Sequence, residues 1–439
     1  MTKTSIPFIG AFESTYLPRH DVDVLESTEH TRRWREDIDL MHETGVRTLR
    51  YPIRWHRVEQ RRGKHDWSSV DPVLEHLQSR GIAVIADLLH HTSYPLWLEQ
   101  GFLDPDFGAA YLRYVEEFAR RYPEVEGYQV FNEPFATLLL CAHEGIWPPY
   151  HTGMEAFTRA LLNVLPPLLE ATRRCKELLP RSRHLYGDSC EHHTASGEGH
   201  AFAEVANDRR FFLLDVLLGH DLDPARPFVR EVVAAGGSDL LKLDPGHVDV
   251  LGLDYYAHNQ WHFWHRTDGV IGAPDPVPLA IVVEQYWDRY GLPCVLGETN
   301  IRGYASDRAT WLKYTLEQCE LARSRGVPLE GYCWFPFLDS CDWDSLLYRS
   351  DRHIDPVGVY WLDEGFERQT SCMSRSYAMA ASGTPAAGLP AYELRPPVSD
   401  WLQGWMRHVP HWSWEPAPEA DVSGASDHPR IELRISTTG

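Results

Sequence analysis

The feature that most constrains this chain is an alternation repeated along most of its length. A short β-branched or aromatic run is followed by a longer amphipathic stretch, again and again. Eight runs read as strands: Pro7–Ser14, Thr48–Trp55, Ala83–His91, Glu126–Glu133, His184–Cys190, Val248–Tyr256, Pro293–Thr299 and Leu329–Phe337. Several are apolar almost throughout, as strands covered on both faces are. Helical stretches fill the gaps, at His30–Glu43, Ser68–Ser79, Phe107–Arg121, Met154–Leu179, Ala201–Leu218, Pro278–Tyr290, Asp307–Arg323 and Thr370–Ala381. In the first of them Trp34, Ile38 and Met41 recur at helical spacing. Gly45, Gly81, Gly291 and Gly326 each follow a helix and precede a strand, the place of a C-cap. Eight strand–helix units predict an α/β fold, a single (β/α)8 TIM barrel, over residues 1–384. Residues 385–439 change character: rich in Pro, Gly and Ser, they hold Trp401, Trp405, Trp412 and Trp414 and end polar. They read as an appendage that packs on the barrel and then frays.

Charge narrows the choice of partner. Lys and Arg total 42 against 63 Asp and Glu, a formal net charge of −21. That disfavours nucleic acid and anionic membranes, both of which require cationic surface. No apolar run approaches the length of a membrane span, and the first residues lack a signal peptide's apolar region. The 8 cysteines are scattered without a CxxC pair, so reduced thiols and a cytoplasmic location are expected. The 16 Trp and 20 Tyr suit a site that stacks flat apolar faces. Oligomeric state is not legible.

In such barrels catalytic groups sit at the C-terminal ends of the strands. Strand four ends in Phe131-Asn132-Glu133-Pro134 and strand seven in Gly297-Glu298-Thr299-Asn300. Strand two carries Arg50, strand three ends in His90-His91, and strand six ends in Asp254-Tyr255-Tyr256. Strand eight runs into Trp334, and its loop holds Asp339, Asp342, Trp343 and Asp344. Two glutamates thus face one mouth, and a retaining glycosidase needs two carboxyl groups about 5–5.5 Å apart. A single glutamate at a strand end is commonly just solvated or ion-paired; two on the right strands point to chemistry. Arg50 reads either as a core ion-pair residue or as the group that holds Glu298 ionised. His90 and His91 cannot both point inward from a regular strand, so one is structural. The run His258, Trp261, His262, Trp264 and His265 has spacings a metal site would use, but no acidic or Cys partner in a fixed pattern. It reads as an aromatic rim, and His192-His193 is treated alike. Phosphate loops, a serine elbow and a dinucleotide fingerprint are absent. No metal and no organic cofactor are expected.

The chain also resembles a known family. Glu36–Met41 followed by Gly45–Val58 looks like the first two units of glycoside hydrolase family 1, the β-glucosidase and β-galactosidase group. His91–Pro95 resembles its His-Trp-Asp-Leu-Pro segment, and Phe131–Pro134 its acid/base motif. Leu251–Tyr256 is similar to its Gly-(Ile/Leu)-Asn-Tyr-Tyr strand, and Trp334–Trp343 to its Trp-Ser-to-Glu-Trp segment. The resemblance implies Glu133 as acid/base, Glu298 as nucleophile and Asn132 as the ligand of the sugar 2-hydroxyl. It implies Arg50 and Tyr256 beside Glu298, sugar contacts from His91, Asp342 and Trp343, and Trp334 beneath the sugar. Three departures stand out. The nucleophile lies in Gly-Glu-Thr-Asn, not Thr-Glu-Asn-Gly. Leu17 replaces a sugar-binding Gln, with Glu13 the nearest polar substitute. Asp342 replaces a Glu one methylene longer.

The sequence therefore predicts a retaining β-glycosidase acting on a small soluble glycoside. Its rivals are a transglycosidase using the same residues and a non-catalytic carbohydrate-binding barrel.

Overall fold

The computed structural model describes residues 5–18, 20, 22–220, 222–264, 270–273 and 276–392. Eight parallel strands close into a barrel: β1 (Phe8–Ala11), β2 (Thr48–Pro52), β3 (Ala83–Asp87), β4 (Gly127–Gln129), β5 (Arg183–Ser189), β6 (Val250–Asp254), β7 (Cys294–Glu298) and β8 (Leu329–Cys333). Each pairs with its neighbours in chain order, and β1 closes on β8 through Phe8 opposite Tyr332 and Ile9 opposite Cys333. Seven strands lie within their predicted runs, and β5 begins one residue ahead of its run, at Arg183. The runs extend further because their last residues leave the ladder and turn into the loops of the mouth.

The principal covering helices are α1 (His30–Glu43), α2 (Asp71–Ser79), α3 (Phe107–Arg121), α4 (Met154–Leu178), α5 (His200–Leu218), α6 (Leu279–Tyr290), α7 (Ala305–Ser324) and α8 (Cys372–Ala381). α3 shows why such segments are legible: Phe107, Ala110, Tyr111, Tyr114, Val115 and Phe118 recur at helical spacing and are all buried. Gly291 ends α6 at φ 65°, a left-handed C-cap that costs a glycine little.

Strand alternation sorts the core into two layers. Ile9, Ala11, Leu185, Val250, Val295, Cys333 and Phe335 pack together inside the barrel. The larger cluster, including Leu49, Leu251, Leu296, Tyr332 and Trp334, packs between strands and helices. Burying each such aliphatic or Phe side chain is worth roughly 1.5–3 kcal/mol.

Several elements lack a counterpart in the sequence reading, among them a helix at Pro227–Ala234. A helix at Pro134–Ala142 starts directly behind Glu133. A three-stranded sheet forms from His192–Ala195, Gln260–Phe263 and Val270–Gly272. Trp261 and His262 therefore sit on a strand, whereas His265 lies outside the described residues. Of the stretch from 385, only residues up to Tyr392 are described; Leu389 and Tyr392 are buried, and Lys313 of α7 donates to the Leu389 carbonyl at 2.7 Å. The tryptophans at 401, 405, 412 and 414 lie outside the described residues. Among the described residues no helix is long and apolar enough to cross a membrane.

Candidate active site

The mouth is built from strand ends. Arg50 of β2 points into the barrel, where Nη1 donates to Asn132 Oδ1 at 2.9 Å and to Gln129 Oε1 at 3.2 Å. Its Nη2 donates to Glu298 Oε1 at 2.5 Å. Tyr256 Oη donates to the other oxygen, Glu298 Oε2, at 2.7 Å. Both oxygens of Glu298 are thus held, by a group on β2 and one just beyond the end of β6.

Glu298 reaches this position through an irregularity. In β7 Val295 faces the interior, so regular alternation would turn residue 298 outward. The β6–β7 register shifts between Leu296 and Glu298, leaving Gly297 as the extra residue and Glu298 opposite Asp254. Bulges re-aim side chains in this way.

Glu133 lies one residue before the helix Pro134–Ala142, at φ 46°. His91 and Asp342 are also left-handed, at φ 47° and 60°. Such conformations cost non-glycine residues about 1–3 kcal/mol each and gather at functional sites. Single oxygens of Glu133, Asp254 and Glu298 all lie within 4.8 Å of one another. Among the described residues this is the one carboxylate group close enough to share a cation; Glu298's two oxygens are already engaged by Arg50 and Tyr256. Burial first, then the charge of Glu298, then Asp254 and Asp188, push the Glu133 pKa well above the usual carboxylate value.

Asn132 completes this wall. Its Oδ1 accepts from Arg50 and from Gln129 Nε2, the latter at 2.9 Å. Those two donors orient the amide, and its buried Nδ2 has no partner among the described residues.

Both histidines at 90 and 91 approach the site, against expectation. They follow the end of β3, and the left-handed turn at His91 frees the pair from strand alternation. His90 Nδ1 lies 2.7 Å from Asp87, and its Nε2 3.4 Å from Glu13. Burial opposes a charge there, but Asp87 and then Glu13 outweigh it and hold the His90 pKa up at about 10. His91 is driven the other way, first by burial and then by the neighbouring His90 charge, well below the usual histidine value. Its Nδ1 meets Thr137 Oγ1 at 2.8 Å, and its Nε2 is 3.9 Å from Glu133 Oε2. The His91 ring also contacts Trp147 and Trp343, with centroids 5.0 and 5.9 Å away. The buried Trp343 indole nitrogen has no partner among the described residues.

Two expectations are corrected. Trp334 does not face the site: it is fully buried in the outer layer, and its indole donates to the Val357 carbonyl at 2.8 Å. The next residue, Phe335, packs inside the barrel, 4.9 Å beneath the Arg50 guanidinium and 5.8 Å from the His90 ring. Alternation from Cys333, which points inward, identifies Phe335 directly. Asp342 does not present a free carboxylate either. Its oxygens accept the backbone N–H groups of Arg352 and His353, both at 3.0 Å. With one methylene less it folds back on its own loop. Burial and then a hydrogen bond with Asp351 raise its pKa to about 6.

Leu17 is buried in a small hairpin opposite Val22 and contributes no polar atom. Glu13, its suggested substitute, accepts from Thr15 N and Oγ1 at 2.8 and 2.7 Å. Although burial raises its pKa, bonding to and the charge of His90 bring it down to about 2. Beyond the mouth, His262 is held by Thr194 at 2.9 Å and Ser196 at 3.0 Å, and His258 stacks on Tyr256. The 8 cysteines are all buried and none forms a disulfide.

Residues 15–220 match the family model for glycosyl hydrolase family 1. β-Glucosidase A of Thermotoga maritima is 22% identical over 380 residues, covering 78% of this chain and 83% of that protein. A β-glucosidase of an Agrobacterium species is 24% identical over 418 residues, 84% of this chain and 87% of its own. The β-glucosidase from Thermotoga maritima in complex with azafagomine superposes with a TM-score of 0.74 at 18% identity, over 88% of this chain and 99% of that one. That likeness extends the shared barrel fold beyond the matched N-terminal part.

Proposed function

We propose that this chain is a β-glycosidase and a divergent member of glycosyl hydrolase family 1, that it retains anomeric configuration, and that it works through Glu133 and Glu298 on small soluble glycosides. The observation that carries this reading is the pair itself. One carboxyl oxygen of each glutamate lies within 4.8 Å of one from the other, and the two side chains differ in company: Glu133 is crowded by carboxyls, whereas Glu298 is held by Arg50 and Tyr256.

Glu298, as carboxylate, attacks the anomeric carbon. The bond to the leaving oxygen breaks as Glu133 gives that oxygen its proton, and a glycosyl ester of Glu298 forms. Water then enters. Glu133, now a carboxylate, takes its proton as the oxygen bonds to the anomeric carbon, and Glu298 leaves.

Asn132 Nδ2 is the donor free to meet the sugar 2-hydroxyl, and Arg50, which binds both Asn132 and Glu298, ties that contact to the nucleophile. His91 and the Trp343 indole offer further polar contacts, and Phe335 takes the place beneath the sugar that Trp334 leaves. The distal hydroxyls meet fewer groups, since Leu17 is apolar and Asp342 is engaged with its loop. We therefore read a preference for a sugar that differs from glucose at its distal positions, such as a galactoside, fucoside or pentoside.

The test is cleavage of a panel of aryl β-glycosides with the first-formed anomer followed by NMR. The β-anomer should appear first and mutarotate later. The α-anomer appearing first would make the enzyme inverting and overturn the reading. Added alcohols divert product to alkyl glycosides if transfer competes with hydrolysis.

A further inference from the structure

Asp254 ends β6 and has no part in the scheme above. It follows Val250 on the inward side of the strand, and its Cα stands opposite Glu298. Space has been made for its carboxyl group on both sides. A Cβ at Gly297 of β7 would lie 2.3 Å from Oδ1, and one at Gly187 of β5 would lie 3.2 Å from Oδ2. The side chain is 0% exposed, and neither oxygen has a hydrogen-bond partner among the described residues. A carboxylate held there without donors is expensive; a carboxylic acid far less so.

Its electrostatic company is strongly negative. Glu298 faces it from β7, Asp188 from β5, Glu133 from the turn after β4 and Arg50 from β2. His90 faces it from the turn after β3, Cys333 from β8, and Cys190 and Tyr256 from beyond the ends of β5 and β6. The two cations are already engaged: Arg50 with Glu298, Asn132 and Gln129, and His90 between Asp87 and Glu13. Burial first, then the charge of Glu298, push the Asp254 pKa well above its usual value.

We propose that Asp254 is a positioning residue for the reaction's proton: a neutral carboxyl whose own ionisation keeps Glu133 protonated to higher pH. The proposal rests on reading Glu133 as the acid. In the working state the three carboxyls carry one negative charge, on Glu298. When the next proton leaves, it comes from either Asp254 or Glu133, and the new charge opposes loss of the other. Every molecule that has ionised Asp254 first still holds the Glu133 proton. The first chemical step preserves this balance. Glu298 spends its electron pair on the bond to carbon, Glu133 becomes the carboxylate, and Asp254 stays neutral.

The test is Asp254→Asn, which keeps the shape and removes the ionisable proton. The upper pKa of the kcat/KM profile should fall by about one unit and the limb sharpen to a single-proton decline. The acid limb should stay in place. Infrared difference spectra supply a readout independent of turnover. At neutral pH the native protein should show two perturbed carboxylic-acid carbonyl bands, Glu133→Gln should remove one, and Asp254→Asn the other. An unmoved upper pKa, an equal loss at every pH, or a single acid band in the native protein would each overturn the proposal. If Glu133→Ala keeps its basic limb, the reading of Glu133 fails instead, and the infrared bands still decide the state of Asp254.

Discussion

The reacting end and the distal end of the proposed sugar site are built on opposite plans. At the reacting end, polar groups from different strands meet one another and leave specific atoms over. Arg50 joins Gln129, Asn132 and Glu298, and Asn132 Nδ2 remains an open donor. At the distal end, polar groups are consumed locally. Asp342 binds the backbone ten and eleven residues on, Glu13 binds Thr15 and His90, and Leu17 offers nothing. The groups proposed to break the bond stand on or just beyond rigid strands, whereas those expected to meet the distal hydroxyls sit on loops, which tolerate change. The difference teaches that the proposed reaction and the proposed sugar preference rest on separable groups.

The largest expected effect falls on the reacting end. Glu298→Gly should lose several orders of magnitude in turnover, because no covalent intermediate can form. Azide should restore cleavage of an activated aryl glycoside and yield a glycosyl azide of inverted configuration. Near-normal turnover without azide would remove Glu298 from the mechanism.

Glu133→Ala should follow, with a loss that depends on the leaving group. A general acid contributes roughly 10²–10⁴-fold. Alkyl glycosides should lose most of that and dinitrophenyl glycosides far less, and the basic limb of the pH–rate profile should vanish. Equal losses on both substrates would contradict an acid role.

Smaller effects test the distal end. Across matched aryl β-glycosides, the glucoside should not lead by tenfold in kcat/KM, which is about 1.4 kcal/mol of transition-state preference. A tenfold lead would mean that other groups replace the missing contacts. Asp342→Ala should lower stability by about 1–3 kcal/mol through two unpaired loop N–H groups, read by thermal unfolding, yet leave the ratio of rates among sugars unaltered. A shifted ratio would put Asp342 back on the substrate.

The smallest effect concerns pH and stability. The folded His90 pKa of about 10 exceeds the ordinary 6.5, so the folded state binds the extra proton between those values. The stability this contributes is full below about 6.5 and is lost as pH rises through about 10. Glu13 acts in the opposite sense: its contribution is present above 4.5 and lost as pH falls through about 2. Replacing His90 by Gln should therefore flatten the decline in melting temperature on the alkaline side. An unchanged slope would show that the Asp87–His90–Glu13 cluster is not what titrates.

Much of this molecule is determined by sequence alone. Periodicity is local, so the eight strands, the principal helices and the glycine C-cap at Gly291 follow from spacing. The parallel closed barrel follows from their alternation, and the barrel directs attention to strand ends, where Glu133 and Glu298 stand. What tertiary structure decided is where each side chain points and what it meets. Trp334 and Phe335 are neighbours in sequence, and only the pairing of β8 with β1 and β7 turns one outward and the other in. Glu298 faces the site because a register shift at Gly297 reverses its side. The Asp342 carboxylate is engaged because its loop returns to bind it. Asp254 looks like any strand-end carboxylate until the barrel closes and sets it among Glu133, Glu298 and Asp188, opposite two glycines. Spacing along a chain determines which groups reach the mouth; register and burial between distant strands determine which of them are charged, engaged or left free.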